Sequence, residues 1–284
     1  MGLTMEATTQ GDCEAQTAVA STSAFKAAEK AYKAYKDGRQ PDPERMRRLI
    51  DFDASDAAGA GIVQEAVAGG APAWLRSARI YSISGVDGFS FIRCPFQPDA
   101  ALELAGAALR EWVEPPSVTN LVLHNPGPYD ALWARHQREP AGSLLSRLTW
   151  ATLGYHYQWT DRRYDPAKRS PFPPTLSKLA ADLAAACGWQ MRAEAAIVNL
   201  YGASSTMGGH LDDAEPCQSV PIVSISLGLE AIYLLGRETK ADPNPDRRPD
   251  PHPKPSLFTL TLTLAPTLAP TLTQGRPRWT RRSR

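Results

Sequence analysis

The spacing of apolar residues along the chain predicts three amphipathic helices. In residues 24–39 the apolar side chains fall on one helical face and lysines on the other, and Gly38 would end that helix. Residues 98–113 repeat apolar side chains in the same way, after a plausible N-cap at Asp99. The buried stripe predicted for this second helix consists of Leu102, Ala105, Leu109 and Trp112.

The third predicted helix, residues 173–188, has the clearest pattern. Gly188 stands where helices commonly end on a residue with left-handed backbone. The predicted core stripe of this helix is Leu176, Leu179 and Leu183. Residues 114–145, before it, are polar and contain prolines, which predicts a loop with at most one short helix.

Short strand patterns fill much of the remaining chain. Residues 79–96 hold apolar runs broken by glycines, and residues 148–159 are aromatic and strand-like. Four further strands are predicted between glycine and proline residues: 195–201, a segment ending near His210, 221–227 and 230–235. Strands of this kind predict an α+β, mainly β fold whose core is an antiparallel sandwich or barrel.

The two ends of the chain differ from the part between them. Residues 1–23 carry acids and no apolar signal region, which favours a disordered leader over a targeting segment. Residues 237–284 pass from a proline-rich stretch into Thr-Leu and Ala-Pro-Thr-Leu repeats, and prolines at this density exclude a central strand. We therefore expect a low-complexity disordered tail, with a helical region at 24–147 and a β core at 148–236.

Composition narrows the class of protein only modestly. The chain has 284 residues, 43% of them hydrophobic, and a formal net charge of +1, so a polyanionic partner would have to be held by local patches. Its four cysteines are scattered without a C-x-x-C pair, which is typical of reduced thiols inside a cell. No apolar stretch approaches the ~18 residues of a membrane span. We expect a location in the cytoplasm or nucleus, with a mitochondrial one left open.

The segment "YGASSTMGGHLDDAEP" (201–216) contains a His-x-Asp pair, His210 and Asp212. On its own such a pair is common by chance, and a polar loop is a sufficient explanation. Two residues so spaced at the end of a strand lie on the same side, however, and both can then bind one metal, as in the facial triad of non-haem iron oxygenases. On the preceding strand, Asn199 and Tyr201 alternate onto one face and could grip a small carboxylate near such a metal.

The ordered run of motifs in this region resembles the AlkB family of Fe(II)- and 2-oxoglutarate-dependent dioxygenases. An N-x-Y strand, the H-x-D loop with an acid shortly after it, and the strands "PIVSISLG" and "AIYLLG" follow one another in that order. Upstream, "GFSFIRCPF" and "LTWATLGYHYQW" are similar to the homologue 1 branch in particular. The resemblance runs from about residue 25 to Gly236 and rests on this order, since no one motif is specific.

The resemblance implies a partial double-stranded β-helix (jelly roll) with flanking N-terminal helices and a nucleotide-recognition lid. It implies Fe(II) bound by His210 and Asp212, and 2-oxoglutarate as a co-substrate in contact with Asn199 and Tyr201. The implied activity is oxidative demethylation or hydroxylation of alkylated bases in tRNA or DNA. Glu215 occupies the acidic position that follows H-x-D and is a candidate for substrate contact, whereas Ala214 stands where some relatives have another acid near the target base.

The part that resembles the lid offers further candidates for substrate contact. Tyr155 and Trp159, in a cluster of aromatic residues, could stack on a flipped base, although packing in the core explains such a cluster equally well. The segment "TDRRYDPAKR" (160–169) is expected to be a loop. Its basic residues, Arg162, Arg163, Lys168 and Arg169, suit phosphate contact or simply solvation.

The family pattern also implies a distal histidine and an arginine that anchors 2-oxoglutarate. The one histidine after His210 is His252, which prolines flank on both sides, and the arginines of "GRPRWTRRSR" lack the expected spacing. We therefore expect that the chain as written carries an incomplete catalytic core, from truncation or mis-splicing. The alternative to an active enzyme is an inactive remnant that binds nucleic acid or does not fold stably.

Overall fold

A computed structural model of the chain describes its central part. The described residues are 27, 30–32, 43–47, 49–50, 52, 61–93, 95–124, 129–139, 143–202, 205, 207–210, 212, 214–217, 219–228 and 231–235. The predicted leader (1–23) and tail (237–284) lie outside them, as does most of the predicted helix 24–39, of which residues 27 and 30–32 are helical. No helix among the described residues is long and apolar enough to cross a membrane.

Helices and strands alternate irregularly along the chain. The helices are α1 (Pro43–Met46), α2 (Pro98–Arg110), α3 (Asn120–His124), α4 (Leu132–Arg138) and α5 (Pro174–Ala186), with 3₁₀ turns at Ala73–Leu75 and Leu144–Arg147. The strands are β1 (Ile62–Glu65), β2 (Arg79–Ile83), β3 (Phe91–Arg93), β4 (Val118–Thr119), β5 (Trp150–Gln158), β6 (Arg163–Arg169) and β7 (Ala195–Asn199).

These strands form two antiparallel sheets. One has the order β1-β2-β3. In the other, β5 is the central strand, and it pairs with β4, β6 and β7. The antiparallel β character expected from the sequence is therefore confirmed.

The strand β5 bends sharply at Gly154. Residues 150–154 pair with β7, whereas Tyr155, Tyr157 and Gln158 pair with β6. Gly154 has a φ of +69°, in the left-handed region that glycine adopts at no steric cost. The rings of Trp150 and Trp159, nine residues apart in the sequence, lie 5.0 Å from each other, which a straight strand would not allow, so β5 bends between them.

The hydrophobic core lies between this sheet and the helices. Leu153 and Val198 supply it from β5 and β7, and Ala108, Leu132 and Leu176 supply it from α2, α4 and α5, each no more than 2% exposed. Burial of apolar side chains is the main driving force for forming these elements, at about 1.5–3 kcal/mol for each leucine or valine. The predicted helix α5 is confirmed, because Leu176 and Leu183 are buried and Leu179 packs against the same core.

Several sequence-based expectations about single elements are wrong. Asp99 is not the N-cap of α2, because the helix begins at Pro98 with Gln97 as its cap. Proline suits this first position, because the backbone N–H that it lacks would have no partner within the helix. Leu102 is 72% exposed rather than part of a buried stripe, because α2 turns the side of Ala108 towards the core. Residues 114–145 hold helices and a short strand, where one short helix was expected at most.

The strand predictions after β7 are also wrong for the described residues. Residues 207–210, 221–227 and 231–235 form no strand, and a single bridge at Ser226 is the only ladder contact the described ones among them make. Their apolar pattern still serves packing, since Ile222 and Ile225 are buried. Conversely, residues 160–169 were expected to be a loop but contain β6, because pairing with β5 overrides their polar composition.

Candidate functional site

The strand β7 brings the first two candidate residues to the edge of the core. Asn199 lies opposite Trp150 of β5 and is buried, and the neighbouring Leu200 donates its N–H to the Thr149 carbonyl at 2.9 Å. Tyr201 follows at the point where the strand ends and is half-buried. Asn199 and Tyr201 are thus held by the paired strand immediately before the H-x-D loop, in which the structure describes residues 207–210, 212 and 214–217.

The imidazole of His210 is oriented by the backbone of its own loop. Its Nδ1 lies 2.9 Å from the carbonyl oxygen of Gly208, which can only accept, so Nδ1 carries the proton and donates it. The other ring nitrogen, Nε2, then faces the carboxylate of Asp212, with 3.4 Å between Nε2 and Oδ1. A backbone carbonyl bonded to the far nitrogen is the usual means by which proteins fix the tautomer of a metal-binding histidine.

This donor set fits a divalent metal ion. Two atoms that each lie about 2.0–2.2 Å from one metal are themselves about 3–3.5 Å apart when they bind at adjacent positions. The separation of His210 Nε2 and Asp212 Oδ1 falls in that range. Both side chains are also accessible, at 50% and 34% exposure, so an ion can reach them. Among the described residues, no group of three His, Cys, Asp or Glu side chains could hold a metal.

The charge of Asp212 affects the groups around it. Its hydrogen bond raises the pKa of His210 to about 9, although partial burial of the ring opposes the shift. Metal binding needs the neutral imidazole and so releases a proton here. Burial, and secondly the carboxylate of Asp212, raise the pKa of Tyr201 to about 12, so its hydroxyl stays protonated at neutral pH. This hydroxyl lies 3.4 Å from the Sδ of Met207 and can donate a hydrogen bond to an anion.

Glu215 is in contact with a residue that sequence reasoning missed. The hydroxyl of Tyr164, on β6, donates to Glu215 Oε1 at 3.3 Å. Burial, followed by the charge of Glu215, raises the pKa of Tyr164 well above its usual value, and burial likewise raises the pKa of the Glu215 carboxyl. No local signal could identify Tyr164, because its segment was expected to be a loop and its partner is 51 residues away.

The aromatic side chains of the β5–β6 hairpin connect Trp159 with this pair. The rings of Trp159 and Tyr157 meet edge-to-face at 4.9 Å, and the rings of Tyr157 and Tyr164 at 5.3 Å. Trp159 remains 44% exposed, which leaves an aromatic surface open to a ligand. Tyr155 takes a different position, where the guanidinium of Arg169 lies 4.9 Å above its ring. The structure therefore groups Trp159, but not Tyr155, with Glu215 through ring contacts.

The basic residues expected near phosphate lie on the exposed side of the same hairpin. Arg162, Arg163, Lys168 and Arg169 are all exposed. Their local partners include Asp161, whose Oδ2 is 3.6 Å from Arg163 Nε, Gln158, whose Oε1 accepts from Lys168 Nζ at 2.8 Å, and the Tyr155 ring below Arg169. The outer surface of the hairpin is thus predominantly positive next to an exposed indole.

Comparison with protein families gives a match over much of the described region. The model of the 2OG-Fe(II) oxygenase superfamily matches residues 119–256. This span contains every candidate residue above. It also continues past Gly236, where the resemblance was expected to end, and includes His252, which lies outside the described residues.

Characterised relatives from animals, plants and fungi are similar to the chain. Nucleic acid dioxygenase ALKBH1 of Mus musculus is 39% identical over 170 residues, which are 56% of this chain and 43% of that protein. DNA N(6)-methyladenine demethylase ALKBH1A of Arabidopsis thaliana is 30% identical over 272 residues, covering 79% of this chain and 77% of the relative. The tRNA demethylase abh1 of Schizosaccharomyces pombe is 28% identical over 58% of this chain and 62% of its own. The matched part of this chain spans less than half the length of the mouse protein.

Proposed function

The chain belongs to the AlkB family of Fe(II)- and 2-oxoglutarate-dependent oxygenases, close to its ALKBH1 members, and on this premise we propose that it oxidatively demethylates or hydroxylates alkylated bases in tRNA or DNA. The observation that carries the proposal is the arrangement of His210 and Asp212, with Nε2 and Oδ1 3.4 Å apart and Nδ1 bonded to the Gly208 carbonyl. These two side chains would hold the iron.

The family implies Fe(II) and 2-oxoglutarate as cofactor and co-substrate. When bound, they supply the oxidising chemistry, in which oxygen hydroxylates an N-methyl group and the product releases formaldehyde. Asn199 and Tyr201 would orient 2-oxoglutarate, because one offers a carboxamide and the other a phenol that its raised pKa keeps protonated. Donors of this kind bind a carboxylate without competing for the metal.

Trp159 and Glu215 would bind the target base, with Tyr155 as a further candidate. The indole of Trp159 is exposed beside other aromatic rings, and base–aromatic stacking contributes about 1–3 kcal/mol per base. Glu215 offers a carboxylate that can accept hydrogen bonds from an exocyclic amine. The exposed cationic residues of the hairpin would contact phosphates, which position the nucleic-acid strand without reading its sequence.

Two structural features also belong to this proposal. The sheet formed by β4, β7 and residues 150–154 of β5 would be part of a jelly-roll core, and the hairpin formed by β6 and residues 155–158 of β5 part of the nucleotide-recognition lid. Support comes from the family match and from the change of pairing partner along β5 at Gly154. An intracellular location, expected from the scattered cysteines, stays a prediction.

The proposal is tested by turnover on methylated single-stranded RNA and DNA. The purified chain, with Fe(II), 2-oxoglutarate and oxygen, should release succinate and formaldehyde in a one-to-one ratio. His210→Ala and Asp212→Ala should abolish both products, whereas Asp99→Ala, at an exposed aspartate in the first turn of α2, should retain them. Tight binding of methylated RNA without succinate would instead identify a binding remnant, and rapid proteolysis of the whole chain would indicate that it does not fold stably.

A further inference from the structure

The root of the β5–β6 hairpin is fixed by the backbone around Gly154. The N–H of Tyr155 donates to the Glu194 carbonyl at 3.2 Å, and the N–H of Ser170 donates to the Gly154 carbonyl at 2.9 Å. These bonds set the direction in which the hairpin leaves the sheet. Farther out, β5 and β6 pair only with each other among the described strands. A two-stranded hairpin is marginally stable by itself, so its outer half needs another contact to keep its place.

Tyr164 supplies such a contact, and it reaches the loop that carries the metal-ligand candidates. Its hydroxyl donates to Glu215 Oε1 at 3.3 Å, and Glu215 comes three residues after Asp212 in the sequence. The centroid of its ring lies 5.3 Å from that of Tyr157. Tyr164 therefore contacts the aromatic cluster through its ring and the H-x-D loop through its hydroxyl. The two elements joined in this way are the proposed base-binding surface and the proposed iron site.

The environment of this contact makes it costly to break. Tyr164 and Glu215 are both half-buried, and a hydroxyl or carboxylate that loses its partner in such a place is left poorly solvated. The burial that raises the pKa of each group indicates the same limited access of water. The hydrogen bond therefore favours one position of the hairpin over others, in which the two groups would be separated.

We propose that Tyr164 is a positioning residue, whose hydrogen bond to Glu215 holds the aromatic β5–β6 hairpin against the H-x-D loop. Ordering of the loop would then also order the hairpin, and the reverse. The metal-dependent part of this inference rests on the proposed function. The contact itself does not, since it joins two groups of the chain. Trp159 would then be held beside the site before substrate binds, instead of lying on a freely moving hairpin.

Hydrogen exchange on the full chain tests the contact directly. Tyr164→Phe keeps the ring and removes the hydroxyl, and Glu215→Met keeps a side chain of similar length and removes both acceptor oxygens. Each change should speed amide exchange in β6 and in residues 207–217 by about fivefold, the effect expected for one lost hydrogen bond. The double variant should exchange no faster than Glu215→Met alone, because both changes remove the same bond.

Tyr81→Phe is the matched control, since it removes a phenolic hydroxyl from β2 in the other sheet. It should leave exchange in β6 unchanged. Additive effects of the two single changes, or no effect of either on β6, would overturn the proposal. Far-UV circular dichroism identifies a variant that fails to fold, and the remaining single variant then decides the outcome.

A second measurement uses Mn²⁺ alone as a redox-stable probe of the metal site. If the metal orders the H-x-D loop, it should slow exchange in that loop in both wild type and Tyr164→Phe, but should slow exchange in β6 only in wild type. Protection of β6 that persists without the hydroxyl would contradict the coupling. Absence of any protection of the loop would count against the proposed iron site, while the metal-free comparison still decides the role of Tyr164.

Discussion

Replacing Gly154 with alanine should destabilise the protein strongly. At φ +69°, a residue with a Cβ costs about 1–2 kcal/mol more than glycine. The new Cβ would also overlap the Glu194 carbonyl and lie 2.9 Å from Phe172 Cδ2, so the backbone at Glu194 has to move. Overpacking of this kind costs about 1–3 kcal/mol, and the bond from the Tyr155 N–H is weakened with it. We expect a total loss of about 4 kcal/mol in the free energy of unfolding.

Urea unfolding followed by tryptophan fluorescence measures this loss. With an m-value of about 2 kcal/mol per molar urea, the midpoint should fall by about 2 M. Gly85→Ala is the control, because Gly85 has a similar φ of +79° but no atom within 4 Å of an added Cβ. Its midpoint should fall by only about 0.5–1 M, from the backbone cost alone. Equal shifts in the two variants would refute the close approach of Glu194 and the steric reason for the bend.

Other substitutions should separate stability from binding. Leu153→Ala, at a side chain 2% exposed, should cost about 3 kcal/mol in urea unfolding. Trp159→Ala should change stability by less than about 1 kcal/mol, but should weaken binding of single-stranded RNA in a fluorescence titration by about tenfold. Burial lowers the pKa of His156 in the folded state, so below pH 6.5 the unfolded chain binds the proton first. Stability should therefore fall as the pH drops through 6.5, and His156→Gln should reduce that dependence.

Elements whose pattern is local could be predicted from the sequence. The leucine stripe and Gly188 predicted α5, and the structure has both the buried face and a φ of +83° at that glycine. The aromatic run predicted β5, because β-branched and aromatic side chains suit a half-buried strand. In both cases the information lies within one helix or strand, so no distant residue has to be known.

Elements that depend on a distant partner could not be predicted in the same way. The segment containing β6 is polar and looked like a loop, and only its pairing with β5 makes it a strand. Residues 221–227 show the opposite case. Their apolar alternation is real, because Val223, Ile225 and Leu227 pack in the core while Ser224 and Ser226 are exposed, yet the described residues offer them almost no ladder. Alternation reports which side chains are buried, whereas a strand also needs a neighbouring backbone to bond with.

The candidate site also has one part that the local sequence predicts and another that depends on distant residues. We expect its specificity to reside in the second part. His210 and Asp212 are two residues apart, so their proximity follows from the sequence and fits a metal whatever the rest of the chain does. The surroundings of Glu215 depend instead on Tyr164, which reaches the loop only because β5 bends at Gly154 and β6 pairs back onto it. Changes in the hairpin can therefore alter which base is held without touching the metal ligands. If so, Tyr164→Phe should raise the KM for methylated RNA by a larger factor than it weakens Mn²⁺ binding, and an equal loss of both would place the hydroxyl in the metal site itself.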